Sequence, residues 1–166
     1  FCAVADGMGG HNAGEVASAL AIRALEEELT GSALPPEEAL KRAVERANAE
    51  ILKVSREKEE CAGMGTTLTA LYMDGKTAHI AQVGDSRAYR VRNRAILQVT
   101  TDHTLVEEMV LSGLITPSEA LTHPKRNYIT RALGTNERVE PDILRLDMLP
   151  GDLFLLCSDG LSNMLT

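Results

Sequence analysis

Residues 65–99, GTTLTALYMDGKTAHIAQVGDSRAYRVRNRAILQV, decide the fold class of this 166-residue chain. Apolar, aromatic and β-branched side chains concentrate in 66–73, 77–83, 88–92 and 95–99, and each run has the length of one strand. The breaks between them are Asp74-Gly75-Lys76, Gly84-Asp85-Ser86 and Asn93-Arg94. All three are turn chemistry, which predicts an antiparallel meander.

Upstream the apolar period is helical. Asn12 is expected to open a helix as its cap, with Glu15 three residues on as the partner in a capping box, and Val16, Leu20 and Ala24 mark its buried face. Pro35 and Pro36 start a second helix, in which Leu40, Val44, Ala47, Ile51 and Val54 step by four and three. The two helices are expected side by side on a sheet. Downstream, helices are expected over 105–111, 117–121 and 127–133, and a strand over 143–146. The run 153–157 is apolar throughout and is expected inside a sheet, covered on both faces. This order of elements gives an α+β fold of stacked antiparallel sheets with helices outside. Phe1-Cys2-Ala3-Val4-Ala5 reads as a central strand already under way, so residues 1–166 are expected to be part of one longer domain.

Composition narrows the function classes. Seventeen basic against 24 acidic residues give a net charge of −7, which repels the phosphate backbone and argues against a nucleic-acid partner. No apolar run approaches the roughly 20 residues of a membrane helix. Cys2, Cys61 and Cys157 are odd in number and widely spaced, which points to a reducing compartment, the cytoplasm.

Three segments share one pattern, an apolar strand that ends in an aspartate beside glycine: Val4-Ala5-Asp6-Gly7, Val83-Gly84-Asp85-Ser86 and Cys157-Ser158-Asp159-Gly160. Singly, each is an ordinary turn. Together, three rigidly held carboxylates could converge on hard divalent cations.

The motifs Val4-Ala5-Asp6-Gly7-Met8-Gly9-Gly10-His11 and Gly14-Glu15-Val16-Ala17-Ser18 resemble the signature of bacterial PPM (type 2C) metal-dependent serine/threonine protein phosphatases. Gly65-Thr66-Thr67, Val83-Gly84-Asp85-Ser86-Arg87, Thr101-Asp102-His103, 129–134 and Cys157-Ser158-Asp159-Gly160-Leu161 follow in the order of that family. The resemblance implies two stacked antiparallel β-sheets flanked by helix pairs, and a site with two Mn²⁺ or Mg²⁺ ions and a third, weaker one. On this resemblance Asp6 bridges the two catalytic ions, the Gly7 carbonyl binds one, Asp159 binds the other, and Asp85 with Asp159 holds the third. Glycine at 7, 9 and 10 would let the backbone approach the ions without Cβ interference.

The family's amino-terminal strand, with its phosphate-binding arginine and an acidic ligand, and its late Asp-Asn motif have no match in the chain. Animal members carry a proton-donating histidine two residues after the bridging aspartate, where this chain has Met8. His11 is the candidate substitute for that role, and a helix-entry histidine with a structural or substrate-contact role is the alternative. His103 is assigned a structural turn role, Cys157 a buried inert thiol, and Arg87 and Arg131 structural ion pairs.

The implied reaction is hydrolysis of phosphoserine and phosphothreonine by a water shared between the metal ions, without a phosphoryl-enzyme. The implied partners are phosphorylated proteins made by a serine/threonine kinase, and the chain is expected to act as a monomer. A haloacid-dehalogenase-type phosphatase would need a second aspartate where Val4 stands. A non-catalytic module of the same fold, kept for binding or regulation, is the remaining alternative.

Overall fold

A computed structural model describes residues 1–9 and 13–165. The element order is β1 (Cys2–Val4), β2 (Gly7–Met8), α1 (Ala13–Leu29), α2 (Pro36–Glu57), β3 (Gly65–Thr66), β4 (Leu68–Asp74), β5 (Thr77–Val83), β6 (Arg87–Arg92), β7 (Ala95–Gln98), α3 (Leu105–Leu111), α4 (Pro117–Thr122), β8 (Asp142–Asp147), β9 (Leu153–Cys157) and α5 (Asp159–Ser162). One antiparallel sheet runs β1-β4-β5-β8, a second runs β7-β6-β9, and β2 pairs with β3. This is the expected α+β architecture of stacked antiparallel sheets.

Strand periodicity builds the layers. Leu68 and Ala70 of β4, with Ala81 and Val83 of β5, face α1 and α2. Their neighbours Leu71, Ala78 and Ile80 face the second sheet and pack with Ala88, Phe154 and Leu156. The helix pair thus covers one side of the first sheet, and the second sheet covers the other.

The helix α2 starts where the prolines predict, with Pro35 as cap, and Leu40, Val44, Ala47 and Ile51 are buried as expected. In α1 the buried centre is Ala17, Ala21, Ala24 and Leu25, while Val16 and Leu20 are partly buried at its margin. Alanine takes the centre because α1 lies along α2, and small side chains let helix axes approach. The expected cap Asn12 lies outside the described residues.

The structure corrects four further expectations. The meander is broken: β4–β5 and β6–β7 are hairpins, but β5 and β6 belong to different sheets. Gly84-Asp85-Ser86 is therefore a crossing between layers, held by side-chain bonds described below. Strand β9 is covered on one face only. Among the described residues it is an edge strand that turns Phe154 and Leu156 inward and leaves Leu153 and Leu155 66% and 41% exposed. Strand β1 is likewise at an edge of its sheet among the described residues, paired only with β4.

Residues 127–133 are not helical. They run as an irregular segment stitched by the bridges Thr104↔Ile129 and Thr66↔Leu133. Long-range backbone bonds replace local helical ones there. No helix among the described residues is long and apolar enough to cross a membrane.

Asn48 fastens the end of that segment to α2. Its side chain is 3% exposed; Oδ1 accepts the Gly134 N–H at 2.8 Å and Nδ2 donates to the Asn136 carbonyl at 2.9 Å. Asn48→Leu keeps the volume but strands both partners, so the unfolding free energy should fall by about 2–4 kcal/mol. Urea titration of both proteins checks this, and a difference below about 0.5 kcal/mol, within the range of an ordinary surface substitution, would contradict the role.

Candidate functional site

Strand register gathers the three aspartates. Val4 lies opposite Thr69 and Thr69 opposite Gln82, so the end of β1 that leads into Asp6 sits beside the end of β5 that leads into Asp85. In the second sheet Arg87 lies opposite Cys157, which brings the start of β6 beside the end of β9. Asp85 and Asp159 therefore leave the same end of that sheet, and both line one cavity of about 680 Å³.

Polar side chains between the sheets fix the turns. The Asp6 N–H donates to Thr67 Oγ1 at 3.0 Å, and the Thr67 N–H donates to the Asp6 carbonyl at 2.9 Å. The same Thr67 hydroxyl meets the buried Ser86 hydroxyl at 2.7 Å. Gln82 Nε2 donates to the carbonyls of Gly84 and Ser86 at 3.0 and 2.7 Å, and Thr69 Oγ1 lies 2.7 Å from Gln82 Oε1. Gly84 has φ +100°, and a Cβ there would lie 2.6 Å from Thr67 Cγ2. Only glycine fits this crossing.

Gly7 is required to be glycine by packing as well. A Cβ on it would lie 1.9 Å from the Gly14 carbonyl oxygen, so the residue is glycine because the first turn of α1 packs on it. Gly9 takes φ +136°. His11 and Gly10 lie outside the described residues.

The three carboxylates are half-buried and crowd one another. Burial raises the Asp6 pKa, and the neighbouring Asp159 raises it further, while the Ser158 side chain lowers it. Asp85 is pushed up to about 6 by burial first and then by Asp159. Among the described residues none of the three forms an ion pair with lysine or arginine, although Arg87 is close by: its guanidinium is spent on Asp102, at 2.7–3.0 Å. Nor do three acidic, His or Cys side chains among the described residues close on one point as a finished cage. The oxygen-only donors and their uncompensated charge fit hard divalent ions that share carboxylates and complete their shells with water.

Other expected roles are met by geometry. Arg131 Nη1 bonds Asp142 Oδ1 at 2.7 Å and the Glu140 carbonyl at 2.9 Å, an ion pair like that of Arg87. His103 is buried against Gly84. Cys157 is buried with its thiol pKa raised by that burial, which suits an inert thiol. Sequence reasoning quoted Thr67 and Ser86 within motifs but gave them no role, and it passed over Gln82. Only the pairing of distant strands brings these three together.

Two stacked antiparallel sheets with a cluster of strand-end carboxylates define an α+β class with a candidate metal centre at one end of the sandwich. The profile of the protein phosphatase 2C family matches residues 1–166, and the chain belongs to that family. It is 43% identical to the serine/threonine phosphatase stp of Listeria monocytogenes serotype 4b in an alignment that covers 97% of this chain and 66% of that protein. The crystal structure of the serine/threonine phosphatase Stp1 from Staphylococcus aureus superposes with a TM-score of 0.90 at 41% identity, over 99% of this chain and 66% of that one. A structure of the catalytic domain of the serine/threonine protein phosphatase PstP in complex with two manganese ions gives a TM-score of 0.87 at 41% identity, over 99% of this chain and 69% of that one. The chain thus spans about two thirds of the length of these relatives.

A carboxyl whose pKa is higher folded than unfolded retains its proton preferentially in the native state. The stabilisation from Asp85 is then fully present below about pH 4, the unfolded value, and is lost as pH rises through its folded value of about 6. Solvent screening at this half-exposed group leaves about 1–2 kcal/mol. Metal-free protein should therefore lose that much stability relative to Asp85→Asn between about pH 4 and about pH 7. Urea unfolding of the pair across this range measures it, and parallel profiles would contradict the charge crowding.

Proposed function

We propose that this chain supplies the core of the metal site of a phosphoric monoester hydrolase acting on phosphoserine and phosphothreonine in proteins. The observation that carries the reading is that Asp6, Asp85 and Asp159 leave neighbouring strand ends at one end of the two sheets and raise one another's pKa. The likeness to phosphatases along the whole chain supports the reaction class, and the manganese pair in PstP supports the metal.

Asp6 would stand between two ions, with the Gly7 carbonyl on one and Asp159 on the other. Asp85 with Asp159 would take a third, weaker ion. When bound, Mn²⁺ or Mg²⁺ supplies the positive charge that makes water acidic and offsets charge developing on a phosphoryl group. The chain's own contribution is placement. Thr67 holds the Asp6 backbone on both its N–H and its carbonyl, so the turn that carries this carboxylate is set before any ion arrives. Gln82 and Ser86 do the same for the Asp85 turn. His11 is assigned proton donation to the departing seryl or threonyl oxygen. The substrates on this reading are proteins phosphorylated by a serine/threonine kinase in the cytoplasm, and the enzyme works as a monomer.

In the whole protein, Asp6→Asn should reduce Mn²⁺-dependent hydrolysis of a phosphothreonine peptide to background while the far-UV circular dichroism is unchanged. Near-normal turnover by a folded variant would sink the assignment. Water as the nucleophile also predicts that protein quenched during turnover keeps its unmodified mass, whereas an added phosphoryl group on an aspartate would overturn the mechanism.

A further inference from the structure

The turn that carries Asp85 is also gripped by a residue that is not among the proposed ligands. His103 clasps both peptide groups of Gly84: its Nδ1 accepts the Gly84 N–H at 3.1 Å, and its backbone N–H donates to the Gly84 carbonyl at 2.9 Å. The residue is 6% exposed. An Nδ1 that accepts a hydrogen bond carries no proton, so the neutral ring has its proton on Nε2. That nitrogen lies 3.2 Å from Asp142 Oδ2, out of hydrogen-bond alignment but close enough for the carboxylate to favour the proton there. Asp142 is itself held by Arg131, and the Thr130 N–H donates to the His103 carbonyl at 2.8 Å. The imidazole is therefore a rigid strut between the first residue of β8 and the residue before Asp85.

We infer that His103 is a positioning residue for Asp85. Its Nδ1 fixes the plane of the Val83–Gly84 peptide while its backbone N–H holds the Gly84 carbonyl, and together they aim the Asp85 carboxyl into the cavity it shares with Asp159, which sets the affinity of the cation taken by that pair. The inference rests on the reading of Asp85 and Asp159 as ligands given under Proposed function. A histidine that only filled space would need volume but no acceptor at Nδ1. Here an acceptor is required, because Gly84 N–H is otherwise a buried donor without a partner.

Asparagine and glutamine separate these roles, since asparagine places an oxygen near the Nδ1 position and glutamine places one near Nε2. Two quantities are read in the whole protein: hydrogen exchange of the Gly84 amide in the metal-free state, and stepwise Mn²⁺ affinity by calorimetry. His103→Asn should keep the Gly84 amide protected and leave the weakest Mn²⁺ step near its wild-type value. His103→Gln should expose that amide and weaken the same step about 10–100-fold, with the tighter steps unchanged. A His103→Gln protein that matches wild type in both, or a His103→Asn protein that loses as much as His103→Gln, overturns the proposal. Asp142→Asn keeps the ring but removes the carboxylate beside Nε2; it should move both quantities in the same direction as His103→Gln. Unchanged values there overturn the proposal even where His103→Gln does not fold. Asp85→Ala is the reference. If it leaves every Mn²⁺ step unaltered, the ligand assignment falls and this inference with it; if it removes the weakest step and His103→Gln does not weaken that step, only the positioning role fails.

Discussion

The hydroxyl of Thr67 is the point on which the candidate centre depends. It accepts the Asp6 N–H from one strand end and meets the Ser86 hydroxyl beside Asp85 on another, while the whole side chain is 2% exposed. Buried hydroxyls of this kind cannot shed one partner cheaply, because no water replaces it. The two turns are thereby locked to each other through a single side chain. The rest of the fold serves that lock. Helix α1 presses on Gly7 with no room for a Cβ, Gln82 ties the crossing from β5 to the carbonyls on either side of Asp85, and β9 delivers Asp159 alongside β6.

The cost of this arrangement is electrostatic. Asp6 and Asp85 both hold their protons more tightly than ordinary carboxyls, and Asp159 contributes to both shifts. On the proposed reading, a divalent ion would offset this crowding by taking the protons' place. Preorganisation and ion affinity would then be two sides of one construction: hydrogen bonds fix the turns that carry the carboxylates, and bound ions would offset the repulsion.

Much of the fold was legible because its signals are local. Asp74-Gly75-Lys76 and Asn93-Arg94 mark two real hairpins, and the prolines at 35 and 36 start α2. Gly84-Asp85-Ser86 has the same turn chemistry, yet it carries the chain between sheets. Nothing in its composition distinguishes the cases, because the bonds from Thr67 and His103 that join the local ones from Gln82 come from another strand and a loop. The run 153–157 hid its two-residue period by being apolar on both faces, and 127–133 hid its long-range bridges behind a helical composition. At the centre, the three strand-end aspartates were readable as a repeated pattern. Thr67, Ser86 and Gln82 gave no such signal, since their roles exist only once distant strands are paired.

The central claim is that the carboxylates form one charge-crowded cluster relieved by cations. Calorimetric titration of metal-free protein with Mn²⁺, repeated in buffers of different ionisation enthalpy, counts the protons released on binding. With the Asp85 pKa pushed up to about 6, the account predicts clear proton release near that pH and a smaller release from Asp85→Asn at the same pH. Mn²⁺ binding that releases no protons near pH 6, or the same number from the variant, would contradict it.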